Sequence, residues 1–186
     1  TGFVGAAVLN ELLQRGHRVT VLARHPDKLA ARENLTVLRA DAQDAAQVAS
    51  AVQGHDAVLS AYNPGWSLPD IYQQYLRGAR AIVVGAKQAG VRRLLVVGGA
   101  GSLYVAPGVQ LVDTPEFPAE WKQGALAARD ALNELRQEAS LDWTLLSPPI
   151  LLQPGERTGQ YRLGQDATLM DGMQPGHITV AYLAVA

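Results

Sequence analysis

Cysteine is absent from the 186-residue chain, which excludes disulfides, thiolate metal ligands and cysteine nucleophiles. Long apolar runs are missing as well. Nothing approaches the roughly 18 consecutive apolar residues that a bilayer span needs, so no membrane partner is expected. Neither sign of charge dominates: 16 Lys and Arg stand against 17 Asp and Glu, for a formal net charge of −1. No overall field would gather nucleic acid, and none is expected as a partner. His17, His25, His55 and His177 show no metal-ligand spacing with one another or with nearby carboxylates, and no metal is expected. No GxSxG elbow occurs, so a hydrolase reading has no nucleophile to build on. No signal peptide is visible, although the first residue is Thr1, and the expected compartment is the cytoplasm.

Apolar residues make up 48% and charged residues 18%, a balance that fits one packed domain over residues 1–186. Strand and helix patterns alternate along it. Residues 3–16 carry Val4, Val8, Leu9, Leu12 and Leu13 at helical spacing, with Gly16 as the stop. Short β-branched runs at 18–23, 35–40, 56–61, 93–97 and 143–146 read as strands, the first of them shaped like a buried parallel strand. Between them lie helices: one from Asp44 to Val52, ended by Gly54; one from Asp70 to Gly90; one over 119–139. Residues 63–69 form a polar loop. Residues 98–118 are too long and too rich in Gly and Pro for a plain connector, and such loops usually cover a site. After Pro148-Pro149 the alternation breaks into short segments, and residues 149–186 are expected to supply a small substrate lobe.

Such alternation implies an α/β fold: a doubly wound, three-layer parallel sheet of the Rossmann type, with right-handed crossovers. Ligands then lie beyond the carboxyl ends of the strands. Thr1-Gly2-Phe3-Val4-Gly5 has the second half of a glycine-rich dinucleotide turn, with Gly2 for close backbone approach and Gly5 for helix packing. A parallel sheet needs a strand ahead of this turn, so the first strand and first glycine are expected to precede Thr1. The residue after the next strand selects the cofactor. A carboxylate there bonds the ribose 2′-hydroxyl of NAD, whereas here stands Arg24, with His25 and Lys28 close behind. A guanidinium binds a 2′-phosphate bidentately, so NADP(H) is expected, with NAD as the alternative. Asp41 follows the third strand as a candidate for the adenine amino group. Ala61 and Tyr62 should face ribose and pyrophosphate, Gly98 and Gly99 the nicotinamide side, and Pro148, Pro149 and Ile150 the nicotinamide face.

The runs TGFVG, LARHPDKL, RADAQD, LLVVGGAGSL, DTPEFPAEWK, LDWTLLSPP and PGERTGQYRLG together resemble the atypical short-chain dehydrogenase/reductases. Within them the chain looks like the NADH-flavin reductase-like proteins, a group similar to biliverdin-IXβ/flavin reductase. The resemblance implies reduced nicotinamide as hydride donor, a planar small-molecule acceptor such as a flavin or quinone, and a monomer or homodimer. Alcohol-oxidising members use a YxxxK helix motif. All six tyrosines here lack Lys four residues on, and the motif's usual places fall near Ala125 and Arg129. Candidate donors toward an acceptor are Ser102, Tyr104 and Lys122. The serine of related reductases matches Gly99 more closely, so Ser102 is offset. Trp66 and Trp121 offer stacking surface. The alternatives are an NmrA-like dinucleotide-binding sensor without turnover and, less favoured, a sugar-nucleotide epimerase.

Overall fold

Helices stop where the backbone must turn through a left-handed conformation, and glycine marks those places. Gly16, Gly54 and Gly90 all have positive φ, between 75° and 79°. They end α1 (Phe3–Gln14), α2 (Ala45–Val52) and α3 (Ile71–Gln88) within two residues. Starts have local causes too. The Asp44 carboxylate accepts hydrogen bonds from the amides of Ala46 and Gln47, at 2.9 and 3.1 Å, and so caps α2. The computed structural model describes residues 2–157 and 161–186.

The expected strands form as β1 (Val19–Ala23), β2 (Leu35–Arg39), β3 (Ala57–Ser60) and β4 (Arg93–Val97). The 98–118 segment is more ordered than a loop: it holds a small hairpin, β5 (Tyr104–Ala106) with β6 (Val109–Gln110), between two 3₁₀ turns. Helix α4 (Ala119–Leu135) follows, shorter at its end than its pattern suggested, and then β7 (Asp142–Leu146). The C-terminal part contains β8 (Leu151–Gln153), β9 (Met170–Asp171), β10 (Gln174–Pro175), β11 (His177–Thr179) and α5 (Val180–Leu183).

All five main strands run parallel to their partners. They hydrogen-bond in two groups, β1–β2 and β3–β4–β7, not in one continuous ladder. Alternate residues Val58, Leu94, Val96, Trp143 and Leu145 share one face, where they meet Val48, Ile82 and Leu135 from α2, α3 and α4. Leu94 is fully buried there. Helix α1 packs instead with α5 and β1. Helices therefore flank the strands in the three-layer, doubly wound α/β arrangement.

Close approach of α2 and α3 rests on Gly85. A Cβ there would lie 2.6 Å from Val48 Cγ1 and 2.9 Å from the Ala45 carbonyl oxygen. Gly85→Ala should therefore lose about 1–3 kcal/mol of stability through overpacking. A lower urea midpoint with an unchanged slope would show it, and an unchanged midpoint would refute it.

One buried charge sits on α1. Glu11 is only 4% exposed. Arg157 Nε and Nη2 donate to its two oxygens at 2.8 and 2.9 Å, and Arg15 Nε donates at 2.7 Å. These hydrogen bonds from Arg157 and Arg15 hold its carboxyl at about 2, below the ordinary 4.5. The unfolded chain thus takes up a proton near pH 4.5 that the folded chain refuses. The pair's stabilisation is complete above that pH and is lost as pH falls toward 2. Glu138, bonded by Lys87 and Ser140, is held at about 2 as well. Urea midpoints of Glu11→Gln should consequently fall less steeply than wild type over this acid window, and equal slopes would refute the assignment.

Candidate active site

The first N–H groups of a helix lack intrahelical partners, and a side chain or a ligand must satisfy them. At α1 the cap is Gly2, extended, and among the described residues no side chain caps the helix. A Cβ at Gly2 would meet nothing within 4 Å, so the backbone is open on that side. Phe3 is exposed and Val4 half-buried beside it. Gly5 faces the end of β3, where its Cβ position lies 3.8 Å from Ala61 Cβ. Alanine would fit at that distance. Thr1 lies outside the described residues.

Arg24 follows β1 and reaches over the end of β3, its Nη2 donating to the Pro64 carbonyl at a long 3.5 Å. Asp41 follows β2. Its carboxylate accepts from the Gln43 amide at 2.9 Å, and its own N–H donates to Gln47 Oε1 at 3.0 Å, which shapes the turn into α2. The strand ends thus gather Gly2, Gly5, Arg24, Asp41 and Ala61 on one rim. This donor set fits a nicotinamide dinucleotide: uncapped helix amides and open backbone for phosphates, and a weakly engaged guanidinium beside them.

Tyr62 differs from the expectation. Its ring turns inward onto α3, where a Cβ on Gly78 would lie 2.3 Å away, and its hydroxyl donates to the Gln74 carbonyl at 3.1 Å. Burial pushes its phenol above the ordinary range, Asp41 adding to the rise and Arg24 opposing it.

Beyond β4 the two glycines divide the work. Gly98 lies against Leu145, 2.6 Å from where its Cβ would stand, while Gly99 has open space. Ser102 is 7% exposed, and its hydroxyl donates to the Gly99 carbonyl at 3.2 Å. Tyr104 is held by its backbone, which bonds Asp166 and Thr168, and its ring is half-buried. Lys122 is half-buried in the first turns of α4. Pro148 is buried, and Pro149 and Ile150 are half-buried after β7.

Ile150 also lines a cleft of about 370 Å³ with Phe117, Pro118, Trp121, Leu152 and Gln153. Trp121 is 50% exposed, leaving ring surface for a ligand. Trp66 lies against α4, 2.6 Å from the Cβ position of Gly124. Another cleft, about 360 Å³ along the outer face of α3, touches none of the strand-end residues. Of the two residues near which the YxxxK places were expected, Ala125 is buried with its Cβ 3.1 Å from the Cβ position of Gly101, and Arg129 grips both oxygens of Asp113 at 2.9 and 3.0 Å. Phe117 in the cleft and Gly78 beneath Tyr62 were not legible in the sequence; only the aromatic EFPAEW run hinted at the first.

The NAD(P)H-binding family profile matches residues 1–186. YwnB of Bacillus subtilis, an uncharacterized protein, is 35% identical over 189 residues, covering 100% of this chain and 86% of that one. The structure of a candidate epimerase from Bacteroides thetaiotaomicron is 43% identical, with a TM-score of 0.92 over 99% of this chain and 83% of that one. A candidate NADH-flavin reductase from Streptococcus pneumoniae is 33% identical, with a TM-score of 0.82 over 99% and 85%.

Proposed function

The chain belongs to the NAD(P)H-binding family, among the flavin reductase-like atypical short-chain dehydrogenase/reductases, and from that premise we propose an NADP(H)-dependent reductase of a flavin, quinone or similar planar acceptor. One observation carries this reading. Ala125 and Arg129 stand near the expected places of a proton-transferring Tyr and Lys, both tied into the structure, while an apolar aromatic cleft opens beside Ile150.

In this reading the uncapped amides of α1 bind the pyrophosphate, and Arg24 leaves Pro64 to bind the 2′-phosphate. Asp41 holds the adenine end. Pro148, Pro149 and Ile150 wall the nicotinamide and exclude water from it. NADPH held there would supply the hydride and leave as NADP+, the acceptor gaining that hydride and one proton. Phe117 and Trp121 stack the acceptor ring, and catalysis is chiefly this positioning. Lys122 and the Tyr104 hydroxyl are the side-chain donors nearest to the task, with water as the other proton source.

Mixing the protein with NADPH and FMN, riboflavin or menadione tests the proposal through loss of reduced-nicotinamide absorbance. Turnover with any of them supports it. Saturable NADPH binding without oxidation would instead favour a sensor, and epimerisation of a sugar nucleotide without net NADPH loss would favour the epimerase reading.

A further inference from the structure

A carboxylate removed from water is poor cement. Its desolvation offsets most of what its partners return, so a methionine or leucine would serve packing about as well. Glu11 is nevertheless buried on the inner face of α1, with Arg157 arriving from 146 residues away. The same cluster reaches further. Arg15 Nη2 donates to the Val185 carbonyl at 3.0 Å, just beyond α5. Thr179, which caps α5, donates to the Glu156 carbonyl at 3.0 Å, and its methyl lies 2.4 Å from the Cβ position of Gly155. β8 pairs in parallel with β11, Leu152 opposite Ile178. Beside the direct packing of α1 on α5, the Glu11 carboxylate thus ties residue 157, and through residues 154–157 the β8–β11 pair, to α1. β8 supplies one wall of the aromatic cleft, and α1 carries the uncapped amides about 12 Å along its axis from Glu11.

We propose that Glu11 and Arg157 form a positioning clamp that holds the β8 wall of the acceptor cleft in register with the dinucleotide-bearing helix. The assignment rests on the acceptor-cleft reading above. A two-pronged fork fixes orientation as well as distance, which an apolar contact of similar size does not. Neither residue touches the reacting atoms.

Glu11→Met is the informative variant. Arg15 and Arg157 are each about half exposed and return to water, so the fold survives without a stranded charge. Steady-state oxidation of NADPH by menadione or FMN should show acceptor KM raised about tenfold, with kcat and the NADPH Kd within about twofold of wild type. Arg157→Lys keeps the charge but not the fork and should fall between them. A folded Glu11→Met enzyme with wild-type acceptor KM would overturn the clamp. Should the wild type reduce no acceptor, the proposed function fails separately, and amide exchange then decides the clamp. NADPH should slow exchange at residues 151–153 and 177–183 in wild type but not in Glu11→Met, while α3 and α4 respond alike in both. Equal protection in the two proteins would overturn it.

Discussion

Gly78→Ala is expected to lower the unfolding free energy by about 2–3 kcal/mol and to weaken dinucleotide binding about tenfold. The new Cβ would lie 2.3 Å from two ring carbons of Tyr62 and 2.7 Å from its hydroxyl oxygen. No ordinary contact is that short. Either α3 shifts, dragging its contacts with α2 and α4, or the ring swings out. The ring has little room to slide inward, because Tyr75 stands behind it with centroids 6.1 Å apart. Swinging out forfeits its burial and its bond to the Gln74 carbonyl. The displaced ring would then enter the space between Arg24 and Asp41, where the adenine end is proposed to lie. Urea unfolding and NADPH titration measure both effects. Tyr62→Leu in the same chain removes the colliding atoms and should restore most of the stability, a coupling that a double-mutant cycle isolates. If Gly78→Ala alone is as stable as wild type, the inward packing of Tyr62 is not what holds this corner.

The same residue shows where sequence reasoning stops. Strand alternation, glycine stops and the Asp44 cap are local signals, and each element they announced is present within a few residues. The rule that ligands gather at strand ends then brought Gly2, Arg24, Asp41 and Ala61 to one rim without any knowledge of side-chain contacts. Which way Tyr62 points depends on a glycine 16 positions later on another helix, and nothing local encodes it. The bond from the Ser102 hydroxyl to the Gly99 carbonyl was equally invisible, because sequence shows a hydroxyl in a glycine-rich turn but not its partner. The short C-terminal segments could not be assigned because a single residue, Thr179, both closes β11 and caps α5. Arg157 was visible inside PGERTGQYRLG, but its partner on α1 lies 146 residues away, beyond the reach of any periodicity.

Arg24→Asp should reduce the preference for NADPH over NADH by about 100-fold. A charge-assisted hydrogen bond to phosphate contributes about 1.5–3 kcal/mol, and reversing the charge adds repulsion of about 1 kcal/mol in water at contact distance. Together they approach about 3 kcal/mol, or two powers of ten in Kd. The guanidinium is well placed to be recruited, since its contact with the Pro64 carbonyl is a long 3.5 Å and yields readily to an anion. Most of the change should come from weaker NADPH binding, because NADH has no phosphate to lose. Aspartate at this strand end can also bond the ribose 2′-hydroxyl, so NADH should bind equally well or somewhat better. The wild-type preference should shrink as salt is added, as it would for exposed charges, and the variant should lack that dependence. Gly78→Ala provides the contrast: deforming the rim lowers the affinity of both cofactors together and leaves their ratio unchanged. Titration of each protein with both reduced cofactors separates charge selection from shape. An unchanged ratio in Arg24→Asp would remove the basis for assigning NADP(H), while leaving untouched the proposal that the α1 amides and the open glycines bind the dinucleotide.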